Sequence, residues 1–151
     1  MNATANRVRL GILGASGYTG AELLRLLAKH PGVSIDALTA EKNAGGTVGD
    51  LFPHLAGLDL PRLKKIAETD WDKLDAVFCC LPHATTQEVL SGLPKRLKLV
   101  DLSADFRLHD TQTYAKWYGH EHKAPDMQKE AVYGITELAR DQVKQTRLCA
   151  N

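Results

Sequence analysis

The stretch Gly14-Ala15-Ser16-Gly17-Tyr18-Thr19-Gly20 limits what this chain can fold into more than any other. It follows an apolar run, Arg7–Leu13, rich in Val, Leu and Ile and predicted as a strand. It leads into Tyr18–His30, where Leu23, Leu24, Leu26 and Leu27 make an apolar stripe at helical spacing. A strand, a turn of three glycines and an amphipathic helix open a unit whose turn is shaped for a phosphate. Gly14 permits a sharp exit from the strand, Gly17 a close approach of backbone to a pyrophosphate, and Gly20 tight packing of the helix. The free N–H groups and positive dipole end of that helix then face the anion, and Ser16, Tyr18 and Thr19 add hydroxyls. Thr19-Gly20-Ala21-Glu22 has the form of a capping box, and Pro31-Gly32 stops the helix.

The alternation continues. Val33–Ala40, Asp75–Leu81 (closed by Pro82), Leu97–Leu102 and Arg147–Ala150 read as strands, and Val132-Tyr133-Gly134 as a short extended piece. Thr85–Leu93 reads as a helix, and Thr136 is expected to cap another that runs to about Gln145. Glu41–Asp50, Pro53–Pro61 and Ser103–Met127 read as irregular, the last with a helical turn at Thr111–Tyr118. The expectation is an α/β fold: one Rossmann-type dinucleotide-binding domain over residues 1–151, with a doubly wound, mostly parallel sheet. Nineteen basic against eighteen acidic residues give a net charge of +1, which provides no field for nucleic acid or an anionic membrane. Residues 1–6 are polar and lack the form of a signal peptide, and no apolar run approaches the roughly 20 residues of a membrane span. Cys79, Cys80 and Cys149, few and odd in number, fit a reducing cytoplasm.

In such sheets ligands bind beyond the carboxyl ends of strands. After the second strand come Thr39, Ala40, Glu41 and Lys42. An acidic residue there favours NAD and a basic one NADP, and this pair points both ways. Leu81-Pro82-His83 follows the third long strand and Ser103 and Arg107 the fourth; Arg107 suits a phosphate, or pairs with Asp101 or Asp105. His120 and His122, with His109, lack a completing acidic or cysteine ligand, so no metal is expected and the stretch reads as a solvated loop. Tyr114, Trp117 and Tyr118 share a helical spacing and are expected to pack beneath it. All three cysteines read as packing residues.

The sequence resembles the N-acetyl-gamma-glutamyl-phosphate reductases over nearly its whole length. The matching motifs are the Gly14–Leu23 stretch, Phe52-Pro53-His54-Leu55, Leu81-Pro82-His83, Asp101-Leu102-Ser103-Ala104-Asp105-Phe106-Arg107 and Tyr133-Gly134-Ile135-Thr136-Glu137-Leu138. The glycine turn is shared with aspartate-semialdehyde dehydrogenases; the Asp101–Arg107 motif is more specific. The resemblance implies NADP-dependent reduction of an acyl phosphate to a semialdehyde in arginine biosynthesis, through a cysteine thioester. It implies that Leu81-Pro82-His83 lines the nicotinamide side and that Ser103 and Arg107 bind the acyl phosphate. It places the nucleophilic cysteine just after Asn151, so no catalytic residue is expected in this chain. The chain therefore looks like the amino-terminal cofactor domain, inactive alone, of a protein expected to be a homo-oligomer acting on a small acyl phosphate. A related aspartate- or aminoadipate-type semialdehyde dehydrogenase and a non-catalytic NADP-binding module are the alternatives.

Overall fold

The computed structural model describes residues 7–151; residues 1–6, on which the signal-peptide reading rests, lie outside that range. Contacts gather into two compact units, one ending at Cys80 and one beginning at Leu81.

The first unit is a parallel sheet of β1 (Val8–Leu13), β2 (Val33–Thr39), β3 (Leu63–Lys64) and β4 (Ala76–Cys79), in the order β3-β2-β1-β4. Leu10 faces Ile35 on one side and Ala76 on the other, and the β1–β2 register slips between Leu10 and Gly11. A Cβ on Gly11 would lie 2.7 Å from Leu74 Cδ1, so the leucine side chain would have to move aside. Helix α1 (Tyr18–Leu27) covers the sheet with Ala21 and Leu24, which join Ile12, Leu38, Val48, Leu55 and Leu63 in one core. Leu23 and Leu27 pack at its margin, but Leu26 is exposed. It lies about 200° around the helix from Leu24, so it cannot share that face, and the leucine stripe is narrower than its spacing suggested. The loop after β2 contains a short helix, α2 (Val48–Leu51), closed by a Thr47–Asp50 capping box. One turn of helix is too short to show a periodicity, and β3 has only two residues, so neither was expected.

The second unit has α3 (Thr86–Ser91), β5 (Lys98–Asp101), α4 (Thr111–Tyr118), α5 (Pro125–Glu130), β6 (Ala131–Tyr133), α6 (Thr136–Gln145) and β7 (Leu148–Ala150). Its strands are parallel in the order β5-β7-β6, with Leu99 and Ala131 both opposite Leu148. Leu90, Leu97, Leu99, Phe106, Tyr114 and Leu148 are its buried bulk. Helix α5 starts on Pro125 and was expected as irregular chain; its buried side chain is the polar Gln128, whose amide donates to the Phe106 carbonyl. Thr136 is inside α6 rather than capping it; the cap position belongs to Ile135, which has no side-chain acceptor. The other expected elements are present, most of them shorter at one end or both, as fraying ends usually are.

Candidate dinucleotide site

Where β1 ends, Gly14 turns the chain with φ +76°, a region costly for any side chain. Thr39, at the end of β2, holds this turn from behind. Its carbonyl accepts the Ala15 N–H at 2.9 Å and its hydroxyl accepts the Gly14 N–H at 3.4 Å. Gly17 is the N-cap of α1, in extended conformation, with its N–H on the Gly14 carbonyl. Gly20 is pressed against the turn itself. A Cβ would meet the Gly14 carbonyl at 2.7 Å and Ala15 Cα at 2.8 Å.

The capping box expected at Thr19–Glu22 does not form. The helix begins at Tyr18, so Thr19 lies inside the first turn, and the Glu22 carboxylate pairs with Arg25 instead. No side chain caps α1. The N–H groups of Ser16, Tyr18, Thr19 and Gly20 therefore have no hydrogen-bond partner among the described residues. Uncapped donors at a helix start attract an anion, because dipole and N–H direction act together. Ser16 is half-buried beside them, Thr19 is exposed, and Tyr18 is 90% exposed with its ring 6.3 Å from that of Phe52.

Beyond the turn, Thr39 and Ala40 are buried; Ala40 N–H donates to the Lys64 carbonyl at 3.0 Å. Glu41 and Lys42 differ in their surroundings: Glu41 Oε1 accepts the Ile66 N–H at 2.9 Å, whereas Lys42 is exposed and unpaired among the described residues. Sequence reasoning missed Arg62. Its guanidinium donates to the Gly45 carbonyl at 2.9 Å, on the same loop that Lys42 begins, because Leu63 and Gly45 are joined by a backbone bond of 2.7 Å.

In the second unit, Leu81 is half-buried and Pro82 and His83 are exposed, with the His83 ring 6.3 Å from Tyr118. Ser103 is buried and its hydroxyl is fully engaged. It donates to Asp101 Oδ2 at 2.8 Å and accepts the Asp105 N–H at 3.1 Å. Burial pushes the Asp101 carboxyl up to about 6, against the hydrogen bonds from Ser103 that favour its ionised form. Arg107 pairs with neither Asp101 nor Asp105 by hydrogen bond. Its Nε and Nη2 donate to the Asn151 carbonyl at 3.0 and 2.8 Å, which leaves Nη1 for another acceptor.

Two expectations fail nearby. Trp117 is 75% exposed, not packed beneath a loop, while Tyr114, one turn earlier in the same helix, is fully buried. His122 is not solvated. Its Nε2 donates to the Asp105 carbonyl at 3.0 Å, its Nδ1 accepts the Ala124 N–H at 3.1 Å, and its ring meets Tyr114 edge-on. Among the described residues no three His, Cys, Asp or Glu side chains gather as metal ligands. Cys79 is buried, Cys80 packs against the first core, and burial pushes the Cys149 thiol up, opposite to what a nucleophile needs.

The sequence pattern of the semialdehyde dehydrogenase NAD-binding domain matches residues 9–146. The chain belongs to this family. Among curated relatives, a probable chloroplastic N-acetyl-gamma-glutamyl-phosphate reductase of Oryza sativa subsp. japonica is 56% identical over 148 residues, 98% of this chain and 36% of that protein. An N-acetyl-gamma-glutamyl-phosphate reductase of Afipia carboxidovorans is 60% identical, covering 97% of this chain and 43% of its own length. The chain thus spans about two-fifths of these relatives, as the cofactor-domain resemblance requires. Aspartate semialdehyde dehydrogenase II of Vibrio cholerae, complexed with ASA, superposes with a TM-score of 0.64 at 14% identity, over 97% of this chain and 42% of that one. The Candida albicans aspartate semialdehyde dehydrogenase with NADP gives 0.58 at 20% identity, over 79% and 41%. At these identities the two structures speak for the fold, which is the doubly wound Rossmann type expected from the sequence.

Proposed function

We propose that this family member is the cofactor-binding domain of an NADP-dependent acyl-phosphate reductase. In this reading the whole protein converts N-acetyl-glutamyl 5-phosphate to N-acetyl-glutamate 5-semialdehyde in arginine biosynthesis. The names of relatives at 54–60% identity support the reaction. The observation that carries the cofactor role is the uncapped start of α1 on the Gly14–Gly20 turn, where four N–H groups have no partner among the described residues. Those amides hold the pyrophosphate, with Ser16 and Thr19 beside them. Lys42, with Arg62 on the same loop, supplies the positive charge that a 2′-phosphate needs, which favours NADP over NAD.

The bound cofactor supplies a hydride. The protein's own part is to orient it: Thr39 holds the glycine turn through its carbonyl and hydroxyl, and the assignment of Leu81-Pro82-His83 to the nicotinamide rests on the family resemblance. Arg107 is assigned to the acyl phosphate through its unused Nη1, and Ser103, saturated by Asp101 and Asp105, shapes the segment that presents it. We assign the whole protein to the cytoplasm as a homo-oligomer acting on a small-molecule acyl phosphate. Among the described residues no helix is long and apolar enough to cross a membrane.

Fluorescence titration tests the cofactor reading. NADPH should bind at least about tenfold more tightly than NADH, and Lys42→Ala should remove most of that difference. Equal affinity for the two, or no binding of either, overturns it. Adding a relative's substrate domain in trans tests the reaction. Phosphate- and NADP-dependent oxidation of N-acetyl-glutamate 5-semialdehyde is expected, and turnover of aspartate semialdehyde instead would redirect the assignment.

A further inference from the structure

Ala84 has φ +70° and is the one non-glycine residue with positive φ among those described. It is the third residue of a turn in which the Pro82 carbonyl accepts both the N–H and the hydroxyl of Thr85, at 3.4 and 2.7 Å. That position of a turn with positive φ ordinarily calls for glycine, so an alanine there is held against its preference. The holder is identifiable. Ala84 N–H donates to Asp105 Oδ1 at 2.9 Å.

Asp105 is fully buried and is itself fixed from several directions. The same Oδ1 accepts the Tyr114 hydroxyl at 2.8 Å, and that hydroxyl accepts the Gln87 amide at 2.9 Å. Gln87 in turn accepts the Lys123 N–H. The Asp105 N–H is on Ser103 Oγ and its carbonyl takes His122 Nε2. Asp105 Oδ2 is buried without a hydrogen-bond partner. A carboxylate buried with one oxygen unsatisfied is expensive for a fold and needs a reason. His83, next to Ala84, lies against Tyr118, whose ring is 4.8 Å from Tyr114, so both residues of the loop rest on the same aromatic–carboxylate cluster.

We propose that Asp105 is a positioning residue: it holds Ala84 in the left-handed conformation and thereby fixes how Pro82 and His83 are presented. The proposal rests on the reading that this loop faces the cofactor, and goes beyond it by naming what sets the loop's shape. The carboxylate acts through Ala84 and does not touch the ligand.

The test uses Asp105→Ala, Asp105→Asn, Ala84→Gly and each Asp105 variant combined with Ala84→Gly in the 151-residue chain. Two quantities are read: the exchange rate and Cα shift of residue 84 by NMR without cofactor, and the Kd for NADPH. Asp105→Ala should expose the residue-84 amide to exchange and weaken NADPH about tenfold; Asp105→Asn, a poorer acceptor, about threefold. Adding Ala84→Gly should restore NADPH affinity to within about twofold, because glycine takes positive φ without strain, while the thermal midpoint stays lowered. A merely structural aspartate would give no such rescue. Unchanged residue-84 exchange in Asp105→Ala, or equal affinity loss with and without Ala84→Gly, overturns the proposal. If Asp105→Ala fails to fold, Asp105→Asn and its double variant carry the same comparison. If the unaltered chain binds no NADPH, the cofactor reading fails, while the residue-84 exchange still decides the role of Asp105.

Discussion

Gly17 and Gly20 look alike in the sequence and differ in their surroundings. A Cβ on Gly17 would meet one atom, the Gly14 carbonyl, at an ordinary 3.6 Å, whereas Gly20 would drive a Cβ into backbone at 2.7 and 2.8 Å. Gly20→Ala gains about 1 kcal/mol of helix propensity but must displace the turn, so a net loss of about 1 to 2 kcal/mol is expected by urea denaturation. Gly17→Ala should change stability by less than about 0.5 kcal/mol yet weaken NADPH about tenfold by titration, because only the ligand uses that space. Asp101 has a signature in pH. Its folded value of about 6 lies above the ordinary aspartate value, so between roughly pH 4 and 6 the folded chain holds a proton that the unfolded chain releases. Its contribution therefore makes stability rise as pH falls through that window, by up to about 3 kcal/mol. Asp101→Asn should flatten this part of the pH–stability curve, read as the difference between the two proteins. The glycine turn was legible because its chemistry is local. Asp105 was not, because its role depends on Ala84, twenty-one positions earlier, which carries no turn-forming residue to announce it.

Helices α1 and α6 show how far an amphipathic pattern reaches. Both have ten residues, but α1 buries Gly20, Ala21 and Leu24, whereas α6 buries none. Helix α6 also lacks a side-chain cap, has non-helical angles at Ala139 and exposes Leu138. A helix held by few apolar contacts opens locally at low cost. Hydrogen exchange of α6 amides should therefore be at least about tenfold faster than that of α1 amides in their second turns. Comparable protection would show that α6 is anchored more firmly than its burial implies. The α1 helix was visible in the sequence through its glycine start and leucines. Its missing cap was not, because Thr19 and Glu22 have capping-box spacing and only the actual start at Tyr18 shows that they are misplaced.

At the scale of the molecule, the surroundings of the three cysteines favour packing: Cys79 is buried, Cys80 packs against the first core and the Cys149 thiol is pushed up by burial. The chain with NADPH is accordingly expected to bind cofactor without reducing an acyl phosphate, as followed by absorbance of the nicotinamide; turnover by the chain alone would require a nucleophile not assigned here. The longer strands and helices and their parallel pairing were legible in the sequence alone, because apolar periodicity and glycine spacing are properties of neighbouring residues, and the family followed from its motifs; the short α2, β3 and α5 were not legible. Tertiary structure decided what distant contacts control. Glu41 is occupied by Ile66 and Lys42 has no partner among the described residues, Arg62 is brought to the same loop by a two-residue strand, and Asp105 reaches back to Ala84. Each depends on which groups meet across the fold, and side-chain identity along the chain does not encode that until the backbone has closed.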